Sequence, residues 1–163
     1  EQVAQGVADL RFTVGFVEGP IRAEGVVAEE FSRDELIPVV GALHPLAGRR
    51  RANPADINGL PLLMREPGSG TRELIAALLL QLDVQTGSIV EFGNTEALKQ
   101  AAIHGGGIAW LPSISVVRDL QDGSLVRLPV RALGLQRPLS IIRREGAYQV
   151  PAVEAFLQKV RKG

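Results

Sequence analysis

Apolar residues recur along the chain at two spacings, which predict helices that alternate with strands. Residues 1–9 place apolar side chains on one helical face, and the mainly apolar run at 12–17 predicts a buried strand. Two more strands are predicted at about 26–31 and 35–42, and Pro38 indicates that the second lies at a sheet edge or contains a bulge. A helix that leads into a buried strand is typical of α/β proteins.

Short apolar runs and segments of helical periodicity alternate between residues 61 and 128. The order is strand–helix–strand–helix–strand–helix, at about 61–66, 70–82, 88–92, 94–105, 107–112 and 113–120. This order predicts a compact unit with mostly parallel strands. For the helix at 94–105, Asn94 or Thr95 is predicted as the N-cap and Gly105 as the C-cap. The first of these helices is expected to face the core with Leu74, Ala77, Leu78 and Leu82. A last helix begins at Pro151.

Composition narrows the class of protein. The 163 residues include 18 basic and 18 acidic side chains, and the zero net charge argues against a nucleic-acid-binding surface in this segment alone. Cysteine is missing from the sequence, which excludes disulfides and thiolate metal sites. No apolar run approaches the roughly 20 residues that a membrane helix needs. We expect a globular, cytoplasmic chain of one domain or two small lobes that does not enter a membrane.

The stretch REPGSGTRE, residues 65–73, follows a predicted strand and opens a predicted helix. Gly68 and Gly70 permit a tight turn or the close approach of a ligand. The free N–H groups at the start of a helix favour an anion. Polar side chains able to assist are supplied by Arg65, Ser69, Thr71 and Arg72. The Lys of a phosphate-binding P-loop and the third glycine of a dinucleotide fingerprint are missing, so a capped turn and an anion site both remain open.

Two other loops have a similar arrangement, one before the helix at 94–105 and one after the first strand. In parallel α/β sheets, ligands bind beyond the carboxyl ends of the strands. The two loops before helices are therefore expected to point at one crevice, and the third is expected on its opposite wall. For each loop the alternative is a plain cap or turn. The candidate residues are Gly93, Asn94 and Thr95 in the loop before the helix at 94–105. In the loop after the first strand they are Glu18, Gly19 and Pro20.

Candidates for catalysis and metal binding are few. His44 precedes a proline in a loop, His104 lies near a helix C-terminus, and neither has a partner at metal-ligand spacing. Gly-x-Ser-x-Gly does not occur, and no pair of carboxylates is specified. We therefore predict no catalytic residue, no metal and no cofactor. The run Arg49–Arg51 is expected to be a solvated loop rather than a phosphate contact, and Trp110 is expected in the core or at a lobe interface.

An ordered set of segments resembles the effector-binding (regulatory) domain of LysR-type transcriptional regulators from bacteria. The segments are GFVEGP, ELIPVVGALHPLA, REPGSGTRE, GNTEALKQAAIHGGGIAWLPSISVVRDLQDGSLVRLPV, RPLSIIRREG and PAVEAFLQKV. REPGSGTRE looks like the branch with regulators of carbon fixation and of sulfur or nitrogen assimilation. The resemblance implies an α/β fold of two lobes of the type II periplasmic-binding-protein kind, with mixed sheets flanked by helices. The first lobe would hold 1–60 and 137–163, and the second 61–136.

The resemblance also implies a function. A small effector, which the helix starts predict to be anionic, would bind between the lobes at Ser69, Gly70, Thr71, Gly93, Asn94 and Thr95, opposite Glu18, Gly19 and Pro20. Its binding would shift the lobes and the oligomer, and the domain would not be an enzyme. The alternative is a periplasmic solute-binding protein that carries an oxyanion for a transport system.

The resemblance further implies that the chain is truncated at its N-terminus. The family begins its regulatory domain with a strand, a helix and a strand, preceded by a winged helix-turn-helix, and these segments are expected to precede residue 1. DNA would therefore be bound only through that helix-turn-helix. Partners would be a second copy of the chain in a homodimer, and a tetramer in the full-length protein.

Overall fold

The computed structural model describes residues 2–19, 21, 23–148 and 150–161. The helices are α1 (Gln2–Ala8), α2 (Gly70–Gln81), α3 (Thr95–Ile103), α4 (Val117–Asp122) and α5 (Pro151–Val160). The strands are β1 (Gly15–Glu18), β2 (Val26–Gly41), β3 (Leu62–Arg65), β4 (Ile89–Phe92), β5 (Ile108–Pro112), β6 (Leu125–Arg127) and β7 (Leu135–Arg144). Within the described ranges, no helix is both long and apolar enough to cross a bilayer.

The chain divides into two compact units. Unit 1 contains residues 1–33 and 138–163, and unit 2 contains residues 34–137. Segment 34–60 belongs to unit 2 because Leu46 and Ile57 pack into its core, whereas the predicted lobes place this segment with residues 1–33. The lobe boundaries of the complete regulatory domain stay a prediction.

The predicted parallel strands of unit 2 are confirmed. β3 lies between β4 and β5 and runs parallel to both, with Leu63 opposite Val90 on one side and Ala109 on the other. β2 is antiparallel to β5 and to β6. The two strands predicted at 26–31 and 35–42 form the single strand β2, because the polar residues between them continue in extended backbone.

Pro38 lies inside a strand that is paired on both sides, so the predicted sheet edge is wrong. Its register partner on β5 is Trp110, and on the opposite side its carbonyl accepts a hydrogen bond of 2.9 Å from the Leu128 N–H. A residue in a strand presents its N–H and C=O to the same side. In Pro38 the missing N–H is therefore on the side away from β5, next to the end of β6. The hydrogen bonds between β2 and β5 do not need it, so this pairing is kept.

The core of unit 2 consists of two clusters, to which successive residues of β3 contribute alternately. Leu62 and Met64 join the cluster that contains α2, and Leu63 joins the one that contains α3. α2 buries Thr71, Ile75 and Leu79. Of the predicted core face, Leu78 and Leu82 pack against the cluster that contains α2, but Ala77 is exposed and the most buried positions, Ile75 and Leu79, are one residue later. The run LIAALLL is apolar on almost every side, so its periodicity does not select the face sharply.

Unit 1 has a smaller core, built by α1 on β7 and formed by Ala4, Val7 and Ile142. β1 pairs antiparallel with β7 at the end of the sheet. The predicted burial of this strand region is wrong, since Phe12 and Phe16 are 48% and 42% exposed. Phe16 contacts Phe31 and Phe156 edge to face, at centroid distances of 5.8 and 6.2 Å.

A network of charged side chains ties α5 to the strands of unit 1. Arg161 donates to both carboxylate oxygens of Glu29 at 2.7 and 2.8 Å and to Glu154 at 2.7 Å. Arg143 approaches the same two acids at 3.2 and 3.5 Å. The hydrogen bond from Arg161 keeps the pKa of Glu29 below its usual value.

Candidate functional site

The first candidate loop joins β3 to α2. After β3 ends at Arg65, the chain turns at Gly68, whose φ of +84° favours glycine, and α2 starts at Gly70. Ser69 occupies the N-cap position in extended backbone, with its carbonyl 3.1 Å from the Glu73 N–H. Its hydroxyl makes no capping bond to any residue that the structure describes. Helix geometry leaves the first N–H groups of α2 without intrahelical acceptors, so they can meet a ligand.

The Thr71 side chain, in the first turn of α2, is hydrogen-bonded to a buried arginine. The Arg137 Nη1 donates a hydrogen bond of 2.7 Å to the Thr71 hydroxyl, and the two residues are only 2% and 9% exposed. The Nε and Nη2 of Arg137 donate to one carboxylate oxygen of Asp34 at 3.2 and 2.6 Å. Asp34 neutralises this guanidinium, so the Asp34–Arg137 pair positions the first turn of α2, while the positive end of the helix dipole supplies the local field.

The second candidate loop joins β4 to α3, and one of its side chains caps the start of α3. The Asn94 Oδ1 accepts a hydrogen bond of 2.8 Å from the Ala97 N–H, so of the two predicted N-caps, Asn94 and Thr95, the structure selects Asn94. The Thr95 hydroxyl accepts a hydrogen bond of 3.2 Å from Arg65. At the other end of α3 the C-cap is His104, and Gly105, predicted as the C-cap, follows it with a φ of +81°.

The sheet brings these two loops together. β3 and β4 are parallel neighbours, with Arg65 opposite Phe92, so both loops leave the same carboxyl edge. The Glu66 N–H donates to the Phe92 carbonyl at 3.2 Å, and the Arg65–Thr95 bond joins the loops a second time. The predicted residues that this edge assembles within unit 2 are Ser69, Gly70, Thr71, Gly93, Asn94 and Thr95.

The other charges at this edge are paired within the protein. Arg65 donates through Nε and Nη2 to the two carboxylate oxygens of Glu66, both at 2.7 Å, and this pairing lowers the pKa of Glu66. Arg72 donates to the Arg65 carbonyl at 2.8 Å and to Glu91 at 2.6 Å. These arginines, predicted as possible anion donors, fasten α2 and the loop instead. Attraction for an anion therefore comes mainly from the N–H groups and the dipole at the start of α2.

The third predicted loop belongs to unit 1. Glu18 ends β1 and is exposed, and the Gly19 N–H donates to the Pro138 carbonyl at 2.9 Å. Pro20 lies outside the described residues. The contribution of Glu18, Gly19 and Pro20 to an effector site stays a prediction.

Three other residues singled out in the sequence have structural partners. Trp110 is in the core, as predicted, and its Nε1 donates to the Leu133 carbonyl at 2.8 Å. The Nδ1 of His44 accepts from the Leu46 N–H at 3.2 Å, and partial burial lowers the pKa of His44. The His104 Nδ1 is 2.8 Å from the Gln100 carbonyl. Among the described residues, no group of three acids or histidines is placed to hold a metal ion.

Sequence reasoning missed Arg137 and Asp34. Their partners are distant along the chain, so no local motif marks them. One signal was present: Arg137 is the charged residue within the strand LQRPLSII, and a charge in a buried strand needs a partner. The partner itself becomes visible only in the folded chain.

Comparison with known proteins identifies the family. The model of the LysR substrate binding domain matches residues 1–163. The HTH-type transcriptional regulator YeiE of Escherichia coli K12 is 34% identical over 157 residues, which are 96% of this chain and 53% of the relative. The regulator CbbR of Rhodospirillum rubrum is 34% identical over 142 residues, 87% of this chain and 47% of the relative. The chain thus spans about half the length of the curated relatives that it matches.

A solved structure extends the likeness to the fold. The regulatory domain of CcmR from Synechocystis PCC6803, in complex with 2-PG, has a TM-score of 0.90 and 25% identity, and the match covers 99% of this chain and 78% of that one. These matches confirm the predicted type II periplasmic-binding-protein-like fold and favour a regulator over a transport protein. The chain belongs to the LysR substrate-binding domain family, the effector-binding part of LysR-type transcriptional regulators.

Proposed function

We propose that this effector-binding domain binds a small anion at the carboxyl edge shared by β3 and β4. The contacts would come from Ser69, Gly70 and Thr71 at the start of α2, and from Gly93, Asn94 and Thr95 at the start of α3. Glu18, Gly19 and Pro20 of unit 1 would complete the site. The domain would act by binding and not by catalysis.

One observation supports the sign of the charge. The first turn of α2 has no side-chain cap from the described residues, and the buried guanidinium of Arg137 lies directly behind it. Free N–H groups at a helix start, at the positive end of the helix dipole, attract an anion and repel a cation. Because Arg65 is neutralised by Glu66, the selectivity rests on this first turn rather than on surface charge.

The structure also limits what Thr71 contributes. Its hydroxyl oxygen already accepts from Arg137, and its side chain is almost fully buried. The backbone N–H of Thr71 and the free hydroxyl of Ser69 are therefore the better donors to a ligand. Thr71 keeps its place in the site mainly through its main chain.

Further partners follow from the family. The longer protein would bind DNA through an N-terminal helix-turn-helix and would work in the cytoplasm. It would assemble as a homodimer and as a tetramer. Effector binding would act on transcription by favouring one arrangement of lobes and subunits over another, which requires different affinities for the two arrangements.

Calorimetric titration of the 163-residue chain tests the proposal. The ligands would be inorganic phosphate, sulfate and a small phosphorylated carboxylic acid, with glycerol and tetramethylammonium as neutral and cationic controls. We expect saturable binding of at least one anion and none of the controls. Binding of the neutral or cationic compounds with equal affinity would refute an anion site.

A further inference from the structure

A cleft on unit 2, remote in sequence from the effector loops, collects arginines from two segments. Its volume is about 690 Å³. One wall consists of residues 50–53, which include two of the three consecutive arginines at 49–51. The other consists of residues 127–131, which follow β6. The four arginines in the lining are Arg50, Arg51, Arg127 and Arg131, and the lining contains no carboxylate.

The fold sets the direction of the arginines in the second wall. Exposure alternates along the segment: Arg127, Pro129 and Arg131 face solvent, while Leu128 and Val130 are buried in the core. Arg127 ends β6 and Arg131 opens a short 3-10 helix, and both exposed side chains line the same cleft. The buried residues fix the wall, so the positive charges do not depend on a mobile loop.

The first wall is anchored in a similar way. The Asn53 N–H donates to Asp56 at 2.7 Å, and Asp56 also binds Arg49 at 2.7 Å. These bonds hold the short turn that follows, whose Ile57 lies in the core. Arg50 and Arg51 are exposed just before this anchor. The run that the sequence indicates to be a solvated loop is therefore one side of a defined cleft.

Pairing within the protein leaves a positive excess. Arg127 donates to Glu35, so it is locally neutralised. Arg50, Arg51 and Arg131 make no ion pair with any described residue. Three positive charges therefore concentrate in one cleft of a chain whose net charge is zero. The overall charge balance conceals this local field.

The chemistry of the lining selects the class of ligand. Guanidinium groups match phosphate oxygens with paired N–H donors. A protein partner needs large apolar or aromatic anchors, but the branched apolar side chains of this cleft, Leu128 and Val130, are only 2% and 4% exposed, which leaves only Ala52 and Pro129 as accessible apolar surface. The lining has no aromatic side chain on which bases would stack. These features fit the phosphate backbone of duplex DNA, contacted without regard to sequence.

We propose that this arginine cleft is an auxiliary contact for the DNA phosphate backbone. It goes beyond the proposed effector function and does not depend on it. In a regulator whose relatives bind DNA, such a contact would add affinity that is independent of sequence. The chain alone should bind duplex DNA weakly and in a strongly salt-dependent manner.

The test measures fluorescence anisotropy of a labelled 20-base-pair duplex of mixed sequence with the complete 163-residue chain at several salt concentrations. With three unpaired arginines, log K should fall with log salt with a slope of about −3. The triple variant Arg50→Gln, Arg51→Gln, Arg131→Gln should abolish most of this slope and weaken binding by at least about tenfold at low salt. All three side chains are exposed, and an unchanged thermal unfolding midpoint would verify that the variant folds.

The matched control removes three exposed arginines elsewhere, Arg11→Gln, Arg118→Gln and Arg144→Gln, with the same change of net charge. It should stay within about threefold of the wild type. The proposal is overturned if the control weakens binding as much as the cleft variant, or if the wild type does not bind the duplex. It is also overturned if inorganic phosphate or an acidic peptide displaces the duplex at millimolar concentration and constant ionic strength, since the cleft would then be a small-anion or protein site.

Discussion

The starts of α2 and α3 have similar sequences but differ in how their first N–H groups are hydrogen-bonded. Each follows a parallel strand, carries a glycine and contains hydroxyl or amide side chains. At α3 the Asn94 side chain accepts a hydrogen bond from the first turn of the helix. At α2 the Ser69 side chain makes no such bond with the described residues, and the Thr71 hydroxyl instead accepts a hydrogen bond from Arg137. A side-chain cap satisfies an N–H group at a helix start, whereas an uncapped start keeps its first N–H groups able to bind a ligand. The motif alone therefore does not decide between a structural turn and a binding site.

Among changes at the two helix starts, replacing Arg137, which contacts the start of α2, should lower the stability of the protein most. Arg137→Met leaves the Asp34 carboxylate, whose side chain is only 11% exposed, without its partner, and should lower the free energy of unfolding by about 3–5 kcal/mol. Urea denaturation measures the loss. Arg118→Met, on the exposed face of α4, should stay within about 0.5 kcal/mol. Adding Asp34→Asn should restore part of the loss, and a single-variant cost below about 1 kcal/mol would contradict the buried support.

Thr71→Val should have the next largest effect. It leaves one N–H of buried Arg137 without the hydroxyl and should cost about 1–3 kcal/mol in urea denaturation. The matched variant Thr95→Val removes a longer and less buried bond to Arg65 and should cost about 0.5 kcal/mol. Equal costs for the two variants would mean that burial does not distinguish the two helix starts.

Removing the polar side chains at the two N-cap positions tests directly whether α3 is capped by a side chain and α2 is not. Asn94→Ala deletes the bond to the Ala97 N–H and should destabilise the protein by about 1 kcal/mol. Ser69→Ala deletes no capping bond to the described residues and should change stability by only about 0.3 kcal/mol. Thermal denaturation of both variants measures this. If Ser69→Ala proved as costly as Asn94→Ala, the α2 start would be capped after all.

The smallest effect concerns Glu66, which neutralises Arg65 between the two loops. The hydrogen bonds from Arg65 lower the pKa of Glu66, so the pair stabilises the folded state above the ordinary carboxylate pKa and is lost as pH falls through the lowered value. In Arg65→Met the Glu66 pKa should rise toward its ordinary value. Carbon-detected NMR titration of Glu66 in both proteins would show this, and an unchanged pKa would exclude Arg65 as the cause.

Much of the fold followed from the sequence because its determinants are local. The spacing of apolar residues located β3, α2, β4, α3 and β5, and position along the chain limited the N-cap of α3 to Asn94 or Thr95. The errors came where local pattern is uninformative: the buried face of α2 lies in a segment apolar on most sides, and the exposure of Phe16 depends on the position of β1 in the sheet.

The site was only half predictable for a related reason. Sequence placed both loops at strand ends, and the parallel pairing of β3 and β4 brings them together. Arg137 lies 66 residues from Thr71 and 103 from Asp34, so only tertiary structure joins them. Likewise, the alternation along residues 127–131 is visible in the sequence, but its meeting with residues 50–53 is not.

One guanidinium shared by Thr71 and Asp34 also constrains how this domain can evolve. Asp34 and Arg137 are the first and last residues of unit 2, so the side chain that contacts the first turn of α2 also ties together both ends of that unit. A substitution at any of the three positions disturbs the other two. If the proposed site binds an effector, new preferences would arise more readily at Ser69 or Gly93, which stand outside this triplet, and the triplet itself should change in concert across descendants.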